Sequence, residues 1–261
     1  MKEISGKENT RIKEILKIKK NTSKNFGAFV FIEGLRSCED AFKSGVAIET
    51  LILSENFVKS AGYELIESAN EILTVKDYVF SKISSSKTPQ GIAAIVKSPV
   101  IQYSDEMHFG SEDRYLICES IQDPGNFGSI IRSADAFGFK GVIFTDDNVD
   151  PLNEKVIRAA MGSVFHIRLM CTTDLFNTIV SLKQNGFIVY ATDLAGQDVA
   201  YGHVFEKKCA IVLGNEGNGV SANVAGVCDK RIRIPMKGQA ESLNVSNAAA
   251  IICYLASQNV I

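Results

Sequence analysis

Six short apolar runs recur through the second part of this sequence: RYLICE, GVIFTD, VFHIRL, FIVYATD, CAIVLG and RIRIP, all between residues 114 and 235. They are nearly continuously apolar rather than alternating, as expected of strands buried on both faces. Stretches with helical spacing separate them and begin near Asn126, Asn153, Thr173, Ser221 and Leu243. Strands alternating with helices predict an α/β fold with a mostly parallel sheet covered by helices on both faces. In such sheets ligands bind at the loops beyond the carboxyl ends of the strands, so chemistry is expected there.

The earlier part carries a smaller α/β pattern. Residues 10–20 have helical spacing, GAFVFIEG (27–34) is a β run ended by glycine, and LRSCEDAFKSGV places Leu35, Cys38, Ala41 and Phe42 on one helical face. ETLILSE and GIAAIVK read as strands, with a helix over VKDYVFSKIS between them. The polar, aperiodic stretch at 98–113 reads as a linker. The expected organisation is a small domain over 1–105 and a larger one over 106–261.

Composition narrows this only a little. The 261 residues, 46% hydrophobic and 22% charged, suit a soluble chain of two domains. No apolar run approaches the roughly 20 residues of a membrane span. The charged start MKEISGKENTRIKEILKIKK lacks a signal-peptide core, so a cytoplasmic protein is expected. Cys38, Cys118, Cys171, Cys209, Cys228 and Cys253 are scattered without a C-x-x-C pair, which fits reduced, buried thiols and neither a disulfide framework nor a metal site. The net charge of −2 does not announce nucleic acid, yet the first 24 residues hold eight Lys or Arg against three Glu, a local +5. That segment is either a solvated amphipathic helix or a phosphate-contacting one.

Three loops concentrate polar residues. In ESIQDPGNFGSIIRSADAFGF, Asp123-Pro124-Gly125 makes a turn, Asn126 can cap the following helix, and Arg132 lies six residues further on. In IVLGNEGNGVS, three glycines surround Asn215, Glu216 and Asn218, but their spacing is neither the dinucleotide fingerprint nor a phosphate loop. In GQAESLNVSNAAAII, Glu241, Ser242, Asn244, Ser246 and Asn247 crowd a helix entrance with more side chains than capping can use. Taken singly, each is a cap, a turn or a surface charge as readily as a ligand contact.

In combination, N-x-G-x-x-x-R, L-G-N-E-G and I-P-M-x-G-x-x-E-S-L-N-V-S-x-A-A-A-I resemble, in this order, the three motifs of the SpoU (TrmH-like) family of RNA ribose 2′-O-methyltransferases within the SPOUT superfamily. FVFIEGLRSCEDAF and SKISSSKTPQGIAAIV are similar to the ribosomal-protein-like substrate-binding domain that precedes the catalytic domain in many members. The resemblance implies a trefoil knot near the C-terminus, a homodimer through the catalytic domain, and S-adenosylmethionine (AdoMet) as cofactor. It implies that Thr192, Leu213, Gly214, Asn215, Gly217, Ile234, Met236 and Leu243 line the cofactor site. Asn126, Arg132, Glu216, Ser242 and Asn244 are implied as catalytic groups, with Arg132 at the ribose and phosphate, and Glu216 positioning Arg132 or assisting proton removal. An arginine with pKa above about 12 is an awkward base, which favours a phosphate clamp. No metal is implied, because a sulfonium leaving group is already activated.

The implied substrate is RNA, with the N-terminal domain favouring 23S ribosomal RNA over tRNA. A tRNA 2′-O-methyltransferase and a non-catalytic RNA-binding or ribosome-assembly protein are the alternatives.

Overall fold

The computed structural model describes residues 2–4, 9–20, 29–57, 69–199 and 205–258. Residues 21–28, with the end of the basic segment and the start of the expected 27–34 strand, lie outside them. The chain divides into two compact units, Met1–Pro99 and Val100–Ile261.

The first unit holds a mixed sheet of β1 (Lys2–Ile4), β2 (Phe29–Glu33), β3 (Ile48–Ser54), β4 (Glu71–Val75) and β5 (Ile92–Lys97), in the order β1-β4-β3-β5-β2. β4 pairs in parallel with β1 and β3, and β5 runs antiparallel to β2 and β3. Helices α1 (Thr10–Ile18), α2 (Leu35–Lys43) and α3 (Asp77–Ile83) accompany it. Ile12 and Ile15 of α1 are fully buried with Ile52, Leu73 and Phe80. Part of the basic segment is structural. Arg11 donates to Thr50 at 3.1 Å and Glu71 at 2.6 Å, and Lys19 donates to the Ile83 carbonyl at 2.5 Å. Lys13, Lys17 and Lys20 remain exposed.

The second unit is a seven-stranded sheet, β12-β10-β11-β7-β8-β9-β6, in which every pairing is parallel. Its strands are β6 (Val100–Gln102), β7 (Arg114–Cys118), β8 (Gly141–Thr145), β9 (Arg168–Thr172), β10 (Ile188–Asp198), β11 (Cys209–Leu213) and β12 (Lys230–Arg233). The helices are α4 (Pro124–Ala136), α5 (Glu154–Ala160), α6 (Leu175–Gln184), α7 (Ala222–Val227) and α8 (Val245–Ser257). Tyr115, Ile143, Met170 and Val212 form the core with Ile179 and Leu182 of α6. None of the six cysteines is in a disulfide, five are buried, and burial pushes the Cys209 and Cys228 thiols up to about 12.

Two local expectations change. The stretch at 98–113 is not wholly a linker, because Val100–Gln102 adds an edge strand beside β9. The run VFHIRL does not form one strand: Ser163–Phe165 is a 3-10 turn and the strand starts at Arg168. Met161 and Gly162 both adopt left-handed backbone, which turns the chain and buries Val164 and Phe165 within that turn.

Two glycines set close approaches. A Cβ on Gly128 would lie 2.6 Å from both Ala159 Cβ and the Val156 carbonyl, so α4 and α5 touch almost backbone to backbone. In β10, Thr192 and Gln197 both stand opposite Ile232, so residues 193–196 bulge outward. A Cβ on Gly196 would meet Ile232 N at 2.6 Å, which makes that bulge a glycine position.

Candidate active site

The loops after β10, β11 and β12, with the start of α8, line a cleft of about 570 Å³ at the carboxyl ends of the strands. Thr192, Leu213, Gly214, Asn215, Glu216 and Gly217 line one part of it; Ile234, Met236, Ser242, Leu243 and Asn244 line the rest. Asn126 and Arg132 are the two expected site residues outside the lining.

The loop after β11 closes on itself. Gly219 N–H donates to the Asn215 carbonyl at 2.9 Å, and Asn215 Oδ1 accepts from Gly217 and Asn218 N–H. Gly214 is required by this closure: a Cβ there would lie 2.0 Å from Gly219 C and 2.1 Å from Val220 N. Glu119, from the loop after β7, accepts the Ser221 N–H at 2.9 Å and so ties the two loops together. Thr192 donates its hydroxyl to the Val212 carbonyl, leaving backbone and methyl for the cleft.

Capping in the first loop belongs to Asp123, whose side chain accepts the Asn126 N–H at 2.8 Å behind a proline in the first turn. That leaves the Asn126 amide free to act elsewhere. Its Nδ2 donates to Glu216 Oε1 at 3.1 Å, and its Oδ1 accepts Asn244 Nδ2 at 2.9 Å. Asn244 in turn caps α8, with Oδ1 accepting Ser246 N–H at 2.9 Å. Cap geometry therefore sets every amide orientation: Asn244 must turn its oxygen to the helix, which turns its NH₂ to Asn126, which turns its own NH₂ to the carboxylate. The three loops share one hydrogen-bonded relay, Glu216–Asn126–Asn244.

Glu216 is held further by Gln122 N–H at 3.2 Å and Asp123 N–H at 3.0 Å. Burial raises its pKa, but hydrogen bonds from Asp123, Asn126 and Gln122 outweigh that and hold the carboxyl below the usual carboxylate range. Among the described residues no hydrogen bond or ion pair joins Glu216 to Arg132, whose positioning is one of the two roles the resemblance implies for Glu216. Arg132 stands exposed on α4, eight residues past its first residue, about 12 Å along the axis. Ser242 lines the cleft, and its hydroxyl makes no hydrogen bond among the described residues.

Asp193 and Leu194 of the β10 bulge also line the cleft and were not anticipated. The bulge is held by Arg231 to Asp193 at 3.3 Å and Arg233 to the Leu194 carbonyl at 3.3 Å. Met236 at 36% exposure, Leu243 at 37% and Leu194 at 63% leave apolar surface facing the cleft. An apolar slot beside carboxylates suits a flat base linked to a positively charged, amino-acid-like tail, and the cleft is in the size range of such ligands. The donor set fits AdoMet.

Parallel strands, a cleft at their carboxyl ends and a polar relay beside it define a cofactor-dependent α/β enzyme. Residues 113–254 match the SpoU rRNA Methylase family, and residues 9–94 match the MRM3-like substrate binding domain. The chain belongs to the SpoU rRNA methylase family, whose members are AdoMet-dependent RNA 2′-O-ribose methyltransferases.

It is 34% identical over 259 residues to the 23S rRNA (guanosine(2553)-2′-O)-methyltransferase RlmP of Bacillus subtilis, covering 97% of this chain and 98% of that one. The crystal structure of an AdoMet-bound rRNA methyltransferase from Sinorhizobium meliloti superposes with a TM-score of 0.82 at 30% identity, covering 100% of this chain and 98% of the other. The SpoU methyltransferase AviRb from Streptomyces viridochromogenes, solved with AdoMet, gives 0.82 at 25% identity, covering 96% and 97%. No helix among the described residues is long and apolar enough to cross a membrane, and no group of three metal-ligating side chains is found among them.

Proposed function

We propose that this protein methylates a ribose 2′-hydroxyl of 23S ribosomal RNA in the cytoplasm. The observation that carries the reading is the relay joining the loops after β7 and β11 to the start of α8 beside an AdoMet-sized cleft. The substrate is favoured by full-length similarity to rRNA methyltransferases and by the match over 9–94.

Leu213, Gly214, Asn215, Gly217, Ile234, Met236 and Leu243 would hold the cofactor, with Thr192 at its edge. Bound there, AdoMet supplies a methyl group on a positively charged sulfur. A ribose hydroxyl is a weak nucleophile, so this chain's task is to align it. Arg132, exposed and without an ion pair among the described residues, is suited to clamp the neighbouring phosphate and orient the hydroxyl. Asn126, Ser242 and Asn244 would fix the ribose, Arg132 and the methionine end of the cofactor. Glu216, with its depressed pKa, is a poor proton acceptor at neutral pH and acts by holding Asn126.

The knot is part of the same proposal. It is supported by the path of the chain from edge strand β12 to α8, which packs against α4 beyond β10 and β11. A homodimer through this unit is supported by exposed Ile251 and Tyr254 on α8. The first unit would supply RNA affinity through exposed Lys13, Lys17 and Lys20, as part of a substrate-binding domain over 1–105 that precedes the catalytic domain.

Mass-spectrometric mapping of ribose methylation in rRNA and tRNA, from cells with and without the gene, tests the proposal. Loss of one 23S 2′-O-methyl group is expected. Unchanged 23S rRNA together with a lost tRNA modification would overturn it.

A further inference from the structure

The loop after β8 contributes none of the expected site residues, yet it grips the loop after β7 at one unusual point. Ser120 has φ +56°, in the left-handed region that non-glycine residues seldom occupy. Its hydroxyl donates to Asp147 Oδ2 at 2.5 Å, and its N–H donates to Thr145 Oγ1 at 2.9 Å. Thr145 donates in turn to Asp147 Oδ1. The Gln122 side chain bridges the carbonyls of Ser120, at 3.1 Å, and Asp147, at 2.9 Å.

What this backbone conformation aims is functional. The Ser120 carbonyl accepts Asn215 Nδ2 at 2.9 Å, and Asn215 Oδ1 is the acceptor that folds residues 215–218 of the cleft. The next N–H groups but one, Gln122 and Asp123, hold the Glu216 carboxylate. An extended residue at 120 would turn its carbonyl away from Asn215 and redirect the segment that carries those two donors.

We infer that Ser120 and Asp147 are a positioning pair: Asp147 holds Ser120 in its left-handed conformation, and Ser120 sets both the cofactor loop and the Glu216–Asn126–Asn244 relay. Neither touches the reacting atoms. The inference rests on the methyltransferase reading for its consequence, but its geometry can be tested without turnover.

The experiment compares Ser120→Ala, Asp147→Ala, the double variant and Ser120→Asn in the full chain. Readouts are hydrogen exchange, AdoMet binding by calorimetry, melting temperature and methyl transfer to RNA. Ser120→Ala and Asp147→Ala should each speed exchange in both 119–123 and 215–219 and lower turnover by about tenfold, the order expected for one charge-assisted hydrogen bond. The KM for RNA should not move. The double variant should be no worse than Asp147→Ala, because that substitution already removes the Ser120 link together with the Thr145 one. Asparagine tolerates left-handed backbone and carries a donor, so Ser120→Asn should restore both exchange and turnover.

A double variant worse than Asp147→Ala, faster exchange confined to 119–123, or turnover falling only in step with the melting temperature would overturn the pairing. If the wild-type protein transfers no methyl group, the functional reading fails on its own, and exchange and AdoMet binding still decide the pairing.

Discussion

Asn244→Asp and Asn244→Ala separate two tasks that one side chain performs. Asn244 caps α8 through Oδ1 and donates through Nδ2 to Asn126. Alanine removes both contacts. Losing the cap alone costs about 0.5–2 kcal/mol. In a unit of this size that lowers the melting temperature by about 1–8 °C. Aspartate keeps the cap, and a negative charge at a helix N-terminus is favourable by about 0.3–1 kcal/mol.

Aspartate nevertheless sets an oxygen where Nδ2 stood, 2.9 Å from Asn126 Oδ1, so two acceptors face each other without a proton. Rotating the Asn126 amide only moves the conflict to Glu216. One unsatisfied contact of this kind costs about 1–3 kcal/mol. If the relay sets the geometry of transfer, that corresponds to a turnover loss of about 5- to 150-fold. The cost of that contact matches or exceeds the favourable helix-terminus charge, so Asn244→Asp should melt at or a few degrees below the wild-type temperature, with turnover falling far more than that shift accounts for. The assays are thermal melting, AdoMet calorimetry and transfer of labelled methyl groups from AdoMet to 23S rRNA. Wild-type turnover by Asn244→Asp, with Asn244→Ala losing activity only in step with its melting temperature, would refute the relay and leave a cap.

Three further outcomes are expected. Arg132→Ala should abolish transfer with AdoMet affinity and melting temperature nearly unchanged, since the side chain is exposed and outside the cleft lining; near-normal turnover would remove Arg132 from the site. Gly214→Ala should destroy AdoMet binding, because its Cβ would lie 2.0 Å from Gly219 C and the loop must open; calorimetry showing unchanged affinity would contradict the closed loop. Glu216 has a depressed folded-state pKa, so its stabilising contribution is present above the unfolded value of about 4.3 and is lost as pH falls through the folded one. Urea melts should accordingly show wild type more stable than Glu216→Gln at pH 6, with the gap closing in acid; a gap independent of pH would argue against the hydrogen-bonded carboxylate.

Much of this molecule was legible in its sequence because the signals are local. Continuous apolar runs such as CAIVLG mark doubly covered strands, and the polar excess around Ser242 and Asn244 marks a helix entrance with more than a cap to serve. What escaped depends on partners distant in sequence. Val100–Gln102 is a strand only because β9 offers an edge. Asp123 takes the cap expected of Asn126 because the turn places its carboxylate over the Asn126 N–H. Glu216 meets Asn126 and two backbone N–H groups rather than Arg132, a choice set by how two loops about ninety residues apart fold together. The 193–196 bulge leaves only Gly196 as a trace, and one glycine in a strand has many explanations.

The distribution of the thiols gives the molecule an internal clock. Cys38 is the single cysteine of the first unit; the other five lie in the second, and only Cys228 among the six is partly open to solvent. Buried thiols react only when their surroundings open, so the rate at which each is alkylated measures the opening of its own neighbourhood. Counting labels by peptide mass spectrometry would therefore time the two halves separately in one sample of unaltered protein. RNA or AdoMet added to that sample would show which half each of them slows.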